Sequence, residues 1–377
     1  MKHIMTQQIA RTFGLIAILA LVFAALPGQV NAAGTTLWVC PEGDCGHPGS
    51  SYNSIQAAVD AASNEDTINV AAGTYDAFKV SGKSTLTITG AGSGQTVVAP
   101  TSLITTNTGH KYTPNMLASV FVDDSTGVTL QGMTIKSTSA TPGSSGADAI
   151  VFWNGSTGAI KDSSVEGVYT INGIQSGQGI AVDAGTGKTA ELSLTNTNIK
   201  GFQKNGIDIV NGNGATTGGG AITVNVTGGT IQGAGPTDVI AQNGIMFWNR
   251  AGGDFSGAIS GVTLTGFNYT PAGDEAAGFL NYGSGNGTLT IAGCQFSANE
   301  EQVYDNEGRL NIANIIAGNT FDQAAYLDGG NAVYSSIQAA VDAAGAGRTV
   351  NVAAGTYQEA ITLNKPNLTV KSMDGAP

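Results

Sequence analysis

Apolar and polar residues alternate in short runs along most of this chain, and the runs return at a fixed phase. One such run is Gly206-Ile207-Asp208-Ile209-Val210-Asn211. After a Gly-rich stretch it is followed by Ile222-Thr223-Val224-Asn225-Val226-Thr227-Gly228-Gly229-Thr230-Ile231. Two alternating runs, a tight turn and a third apolar anchor make one unit. Its second half recurs seven times as apolar-x-[Gly/Asn/Asp]-x-x-apolar. The first anchor falls at Leu130, Ile160, Leu194, Val226, Ile259, Ile291 and Ile316, and the second at Ile135, Val165, Ile199, Ile231, Leu264, Phe296 and Phe321. Between them stands Gly132, Asp162, Asn196, Gly228, Gly261, Gly293 or Gly318. These residue types adopt the left-handed backbone conformation at least cost, so one kink is specified at every repeat. Units spaced 25 to 34 residues apart describe a solenoid, in which each coil buries its apolar face only against its neighbours. A β-sandwich with Gly turns would not hold one turn register through seven units.

The strand before each turn unit begins at Val120, Ile150, Ile180, Ile207, Ile245 and Phe279. Its alternate partners Val122, Phe152, Val182, Ile209 and Phe247 also face inward, with Asn281 the exception. Alternation then gives two outward columns. One reads Asp123, Trp153, Asp183, Val210, Trp248, Tyr282, and the other Phe121, Val151, Ala181, Asp208, Met246, Leu280. With three short strands per coil and an Asn- or Gly-containing second turn, residues 50–328 resemble the right-handed parallel β-helix proteins of the pectin-lyase-like superfamily. The resemblance implies an all-β solenoid with polysaccharide lying in the groove over the first strand. That fold hosts lyases, hydrolases, esterases, adhesins and proteins with no chemistry, so function has to be argued from a site.

Residues 1–32 read as a signal peptide: Lys2 and Arg11 form a basic start, Phe13 to Leu26 an apolar core, and Val30-Asn31-Ala32 a small-residue cleavage site. The apolar run is too short for a membrane span, and no other long apolar segment follows. The expected product is secreted, extracellular or cell-surface. In residues 33–53, Cys40 and Cys45 suit a small disulfide loop of an oxidising compartment. Cys294 is left over and reads as a packed thiol where Met133 and Val262 stand in other coils. The β-helix proper is expected over residues 54–328. It opens with a short amphipathic helix, Ser54 to Ala62, expected to cap the open end of the sheets. Ser336 to Ala344 repeats that helix letter for letter, and Asn351 to Tyr357 repeats Asn69 to Tyr75, both at an offset of 282. Residues 331–377 therefore read as the cap and first strands of a second β-helix, truncated after Ile361-Thr362-Leu363 and Leu368-Thr369-Val370.

Without Lys2 and Arg11, 13 of the 15 basic residues remain against 27 acidic ones, a net charge near −14. Nucleic acid and anionic membranes repel such a surface. No cofactor is required by the residues present, and Ca²⁺ enters only as a bridge between the acidic surface and a polyuronate. No metal site is expected.

Two features of the groove suit a sugar polymer. Trp153, Trp248 and Tyr282 stand as exposed rings in one file, able to stack on pyranose faces, and Asp123 shares it. Trp153 and Trp248, three coils apart, are expected about 14 Å from each other. Asp183 and Asp208 lie on adjacent coils offset by two residues, which puts their backbones about 8 Å apart. Inverting glycosidases hold their carboxyl pair roughly 6.5–9.5 Å apart. Lys204 and Arg250 are the nearest bases or carboxylate clamps.

Gly355-Thr356-Tyr357-Gln358-Glu359 resembles a pectin methylesterase opening motif, but the family's later Gln-Asp-Thr-Leu and Asp-Phe-Ile-Phe-Gly segments are absent, and that activity is rejected. The polygalacturonase and pectate lyase motifs are missing as well. Two readings stay open. The first is a β-helix that binds a polysaccharide or cell-surface glycan, or serves as an extracellular structural module, as a monomer or as part of a longer chain. The second is a glycoside hydrolase or polysaccharide lyase acting in the groove.

Overall fold

The computed structural model describes residues 34–107, 115–138, 147–169, 173–211, 219–249, 252–271, 276–283 and 285–373. The signal peptide expected over residues 1–32 lies outside them, and Thr35–Pro377 forms one compact unit. Three long sheets run along it, and strands of successive coils are hydrogen-bonded neighbours in each. The protein is thus an all-β parallel β-helix.

The registers are those the hydrophobic pattern sets. In the first-strand sheet Val120, Ile150, Ile180, Ile207, Ile245 and Phe279 pair in one row. In the second, Leu130, Ile160, Leu194, Val226, Ile259 and Ile291 form a row. In the third, Ile135 to Phe321 does the same. All three rows point into one core, where Ile207, Ile209, Phe247 and Val224 have no exposed surface. Strands buried along a continuous stack in this way favour Val, Ile and Phe, as parallel sheets do. Asn281, the inward exception, donates its amide to Asp305 Oδ1 at 2.6 Å and accepts from Gly283 N–H, so the polar pair is satisfied inside the last coils.

Gly132, Asp162, Asn196, Gly228, Gly261 and Gly293 all have φ between 48° and 67°. The seventh expected turn is different. Gly318 closes helix α2 (Ile312–Gly318), which replaces the second strand of the last coil and buries Ile312, Ile315 and Ile316. Asn311 caps it by accepting from Asn314 N–H, a local signal that overrides the repeat.

At the other end, helix α1 (Ile55–Ala61) starts at Ser54, whose hydroxyl accepts from Ala57 N–H. Its Ile55, Ala58 and Val59 enter the main core beside the strand Thr36–Val39. Helix α3 (Ile337–Ala343) repeats α1 with Ser336 as its cap. The repetition extends to strand register: Thr67 pairs Thr87 and Val70 pairs Gly90, while Thr349 pairs Thr369 and Val352 pairs Ser372. Tyr75 and Tyr357 each donate their hydroxyl to the carbonyl four residues before, at 3.0 Å.

The second copy is joined to the first solenoid. Ala332–Tyr334 pairs antiparallel with Glu301–Asp305 of the last coil, and Val333 lies in the main core. Ile337, Ala340, Val341 and Val350 close a smaller core with Ala325 and Leu327. One difference between the copies is informative. Phe78 and Val80 are fully buried under Val120 and Val122 of the next coil, whereas Ile361 and Leu363, their counterparts after a one-residue shift that puts Thr362 in the place of Lys79 against the helix glutamine, are 40% and 59% exposed.

Cys40 and Cys45 are joined in a disulfide, and Cys294 is fully buried among the core residues that include Met133 and Val262. Without reductant, a thiol reagent should modify no cysteine in the folded protein and one per chain after unfolding. Labelling of the folded protein would contradict this packing.

Candidate functional site

The first-strand sheet carries its two outward columns as the alternation dictates. Asp123, Trp153, Asp183, Val210, Trp248 and Tyr282 pair in one, and Ala181, Asp208, Met246 and Leu280 in the other. At the head of these strands, alternation breaks. Ala149 and Ile150 are consecutive yet both enter the core. The residue ahead of that break therefore belongs to a further file outside the core: Asp148, Gln178, Asn205, Asn243.

Each member of this file holds the next. Gln178 N–H donates to Asp148 Oδ1 at 2.7 Å, and Asn205 N–H to Gln178 Oε1 at 2.8 Å. The Asn243 amide donates to Asn205 Oδ1 at 3.0 Å, and Ala277 N–H to Asn243 Oδ1 at 3.1 Å. The file is buried, with Asn205 and Asn243 each 1% exposed. A Gly follows each of the three amides because the coils approach closely there. A Cβ on Gly179 would lie 2.6 Å from Gly206 O, and one on Gly206 would lie 2.6 Å from Gly244 O. The amide-then-glycine dipeptides Gln178-Gly179, Asn205-Gly206 and Asn243-Gly244 are the signal from which this file could have been read.

Above it opens a cleft of about 390 Å³. Its floor is Gln178, Asn205, Asn243 and Asp208, its far side Met246, Trp248, Leu280 and Tyr282, and its wall Val239 to Ala241 with Tyr269. The wall exists because the third-sheet strands Thr230–Thr237 and Thr263–Tyr269 run on past their core anchors and pair Thr237 with Tyr269. Gln242 ties the wall down, donating to Phe202 O at 2.6 Å and accepting from Ala234 N–H. Tyr169 Oη and Thr237 Oγ1 meet at 2.8 Å and brace it from behind.

Asp208 is the chemical centre of this cleft. Its Oδ1 is buried and makes no hydrogen bond. Burial pushes its carboxyl up to about 7, the Asp183 charge adds to the rise, and Lys204 offsets part of it. Asp148 is pushed up to about 8, by burial first and by Asp208, although the Gln178 N–H works the other way. A carboxyl that keeps its proton near neutral pH can donate it, which a surface Asp cannot. Lys204 Nζ donates to Ala241 O at 2.5 Å and so sits across the cleft's edge.

The residues expected in the groove do not all meet there. Asp208, Lys204, Trp248 and Tyr282 do, and Tyr282 also packs edge-on against Tyr304 with centroids 6.0 Å apart. Asp183 lies on the adjacent coil, close enough to raise Asp208, but it is 5% exposed and does not line the cleft; its Oδ1 accepts from Gly185 N–H. Trp153 is a correction. It is 7% exposed, packed in a small cluster with Phe121, Val151 and Ala181. The strand Ile104–Asn107 folds back antiparallel on Asn115–Asp123, and Ile104 packs against that cluster. Trp153 offers no stacking face. Asp123 is also remote from the cleft and pairs with Lys79 at 2.9 Å. Arg250 lies outside the described residues. Among the described residues no cluster of three or more His, Cys, Asp or Glu could hold a metal ion.

No protein-family model matches the chain, and no curated protein matches it significantly. Among solved structures it is similar to pectin methylesterase PemA from Erwinia chrysanthemi, at 12% identity over 64% of this chain and 81% of that one, with a TM-score of 0.36. It is also similar to the pectin methylesterase from Aspergillus niger, at 12% identity over 74% and 83% with a TM-score of 0.35, and to pectate lyase Pel9A, at 10% over 70% and 78% with a TM-score of 0.34. Likenesses this distant carry no chemistry to this chain, and the architecture rests on its own stacked sheets.

Proposed function

We propose that this protein is an exported β-helix that binds a polysaccharide in the cleft over the strands Asn205–Asn211, Asn243–Asn249 and Ala277–Gly283. The observation that carries this is the company Asp208 keeps: Trp248, Tyr282 and Tyr269 line the same cleft as its half-buried carboxyl and three buried amides. Flat rings take the apolar faces of a sugar, and fixed polar groups take its hydroxyls, which is the usual division of labour in a ligand cleft. The half-open shape suits a chain passing through better than a small molecule enclosed. In this reading α1 closes the N-terminal end of the stack, which keeps the sheet edges from pairing with other chains.

A second reading, glycoside hydrolysis in the same cleft, is favoured by Asp208 itself. A carboxyl raised to about 7 and lining the cleft is poised as a general acid.

Binding separates the contributions of the rings. Trp248→Ala should weaken polysaccharide binding by about tenfold, on the order of 1.4 kcal/mol. Trp153→Ala should lower the melting temperature and leave the dissociation constant within a factor of two, since that ring is buried away from the cleft. Affinity electrophoresis on a polysaccharide panel with both variants measures this. Equal effects of the two changes on binding would overturn the cleft assignment.

A further inference from the structure

Resting on the polysaccharide reading of this cleft, we infer that its ligand is an uncharged glycan and that the site discriminates against uronate polymers, the opposite preference to a pectate-binding groove. A site for a sugar carboxylate needs a fork of cationic donors. Among the described residues, Lys204 is the one basic side chain lining the cleft, and its ammonium already donates to Ala241 O and faces Asp208. Among the described residues, the other ionisable groups around the cleft are carboxyls: Asp208 on the floor and Asp148 at the end of the amide file, both of which resist ionising, and Asp183 on the adjacent coil, whose charge helps to raise Asp208. A uronate carboxylate entering here would meet carboxyl groups in a poorly hydrated site, where like charges repel most strongly.

The polar groups left over suit hydroxyls. Gln178 and Asn205 spend their side-chain oxygens on the ladder, accepting from Asn205 N–H and from the Asn243 amide. The groups they have left for a ligand are their amide N–H donors. The carboxyl of Asp208, half-buried and lining the cleft, supplies the complementary partner through its accessible oxygen. A hydroxyl both donates and accepts, so it can satisfy an amide donor and a carboxyl oxygen together; a carboxylate only accepts and cannot.

The same sugar with and without a charge tests this. A neutral α-galactan made by carboxyl reduction of polygalacturonate and the parent polygalacturonate, at matched length, should be compared by isothermal titration at low ionic strength, with EDTA present and again with millimolar Ca²⁺. The galactan should bind at least tenfold tighter in EDTA, and Asp183→Asn should narrow that ratio several-fold by removing a charge behind the cleft. Methyl-esterified galacturonan, which is neutral, should bind like the galactan. Galacturonate binding equal to galactan in EDTA, with both lost in Trp248→Ala, would overturn the uncharged-ligand inference and keep the cleft. Binding of every polymer unaffected by Trp248→Ala would instead overturn the cleft reading. Tight galacturonate binding only with Ca²⁺ would also overturn the inference, since the acidic groups would then serve a bridged uronate.

Discussion

Replacing Ile209 by Asp should destroy the cooperative unfolding transition of the solenoid. Ile209 has no exposed surface and is stacked between Val182 and Phe247. Losing the buried side chain costs about 2–5 kcal/mol, and an unpaired carboxylate in an apolar stack adds several more. That exceeds much of the roughly 5–15 kcal/mol that holds a domain together. Coils cohere only through their neighbours, so the damage spreads along the stack. The matched control is Leu363→Asp. Its counterpart in the first copy, Val80, is fully buried, yet Leu363 is 59% exposed, so the change should shift the melting temperature by no more than a degree or two. Circular dichroism melts of both variants decide the point. An unaltered melt for Ile209→Asp would mean that the inward row is misassigned.

Asp208→Asn is the second large effect, and it acts in opposite directions on stability and on chemistry. The folded carboxyl is raised from 3.8 to about 7, so at pH 3 both folded and unfolded chains hold the proton and nothing is lost. As pH climbs past 4 the unfolded chain releases its proton while the folded chain keeps it, and stability falls until the folded group also ionises near pH 7. Asn escapes this cost. The variant should therefore be more stable than the parent at pH 8 by on the order of 1–2 kcal/mol, and equal to it at pH 3. If the cleft hydrolyses its glycan, the same change should cut the rate by about 10²–10⁴-fold, the usual contribution of a general acid. Thermal melts at the two pH values read the first effect, and reducing-sugar release reads the second. A variant less stable than the parent at pH 8 would place Asp208 outside the buried, crowded setting described.

Most of the coil could be read from the alternation of Ile, Val and Gly. Leu130 to Ile291 and Ile135 to Phe321 pair in the rows their spacing specifies, because a one-residue slip would turn every apolar side chain outward. The outward columns followed from the same parity, which is why Asp208, Trp248 and Tyr282 were found. Parity fails at the head of the first strands. Ala149 and Ile150 both turn inward, so Asp148 and the amide file fell on the side that alternation assigns to the core. Trp153 was misread for a different reason: what covers it is Ile104, on an antiparallel strand that belongs to no repeat. The helix ending at Gly318 and the docking of Ala332–Tyr334 are likewise local departures, set by an N-cap and by an antiparallel pairing.

The amide file has a bearing on how the protein ages. An Asn followed by Gly is the dipeptide most prone to deamidation, because the glycine nitrogen can swing round to attack the side-chain carbonyl carbon. Asn205-Gly206 and Asn243-Gly244 both lie within strands, where the extended backbone keeps that nitrogen out of reach, and both side-chain oxygens are held by the next coil. Each excursion that frees these coils starts a chemical clock. The cyclic imide hydrolyses to Asp or isoaspartate in a file that already ends on Asp148 and borders Asp208, so a single conversion adds a carboxyl where two already resist ionising. Refolding would then grow harder with every conversion, and the shelf life of the cleft would be set by how seldom its floor opens.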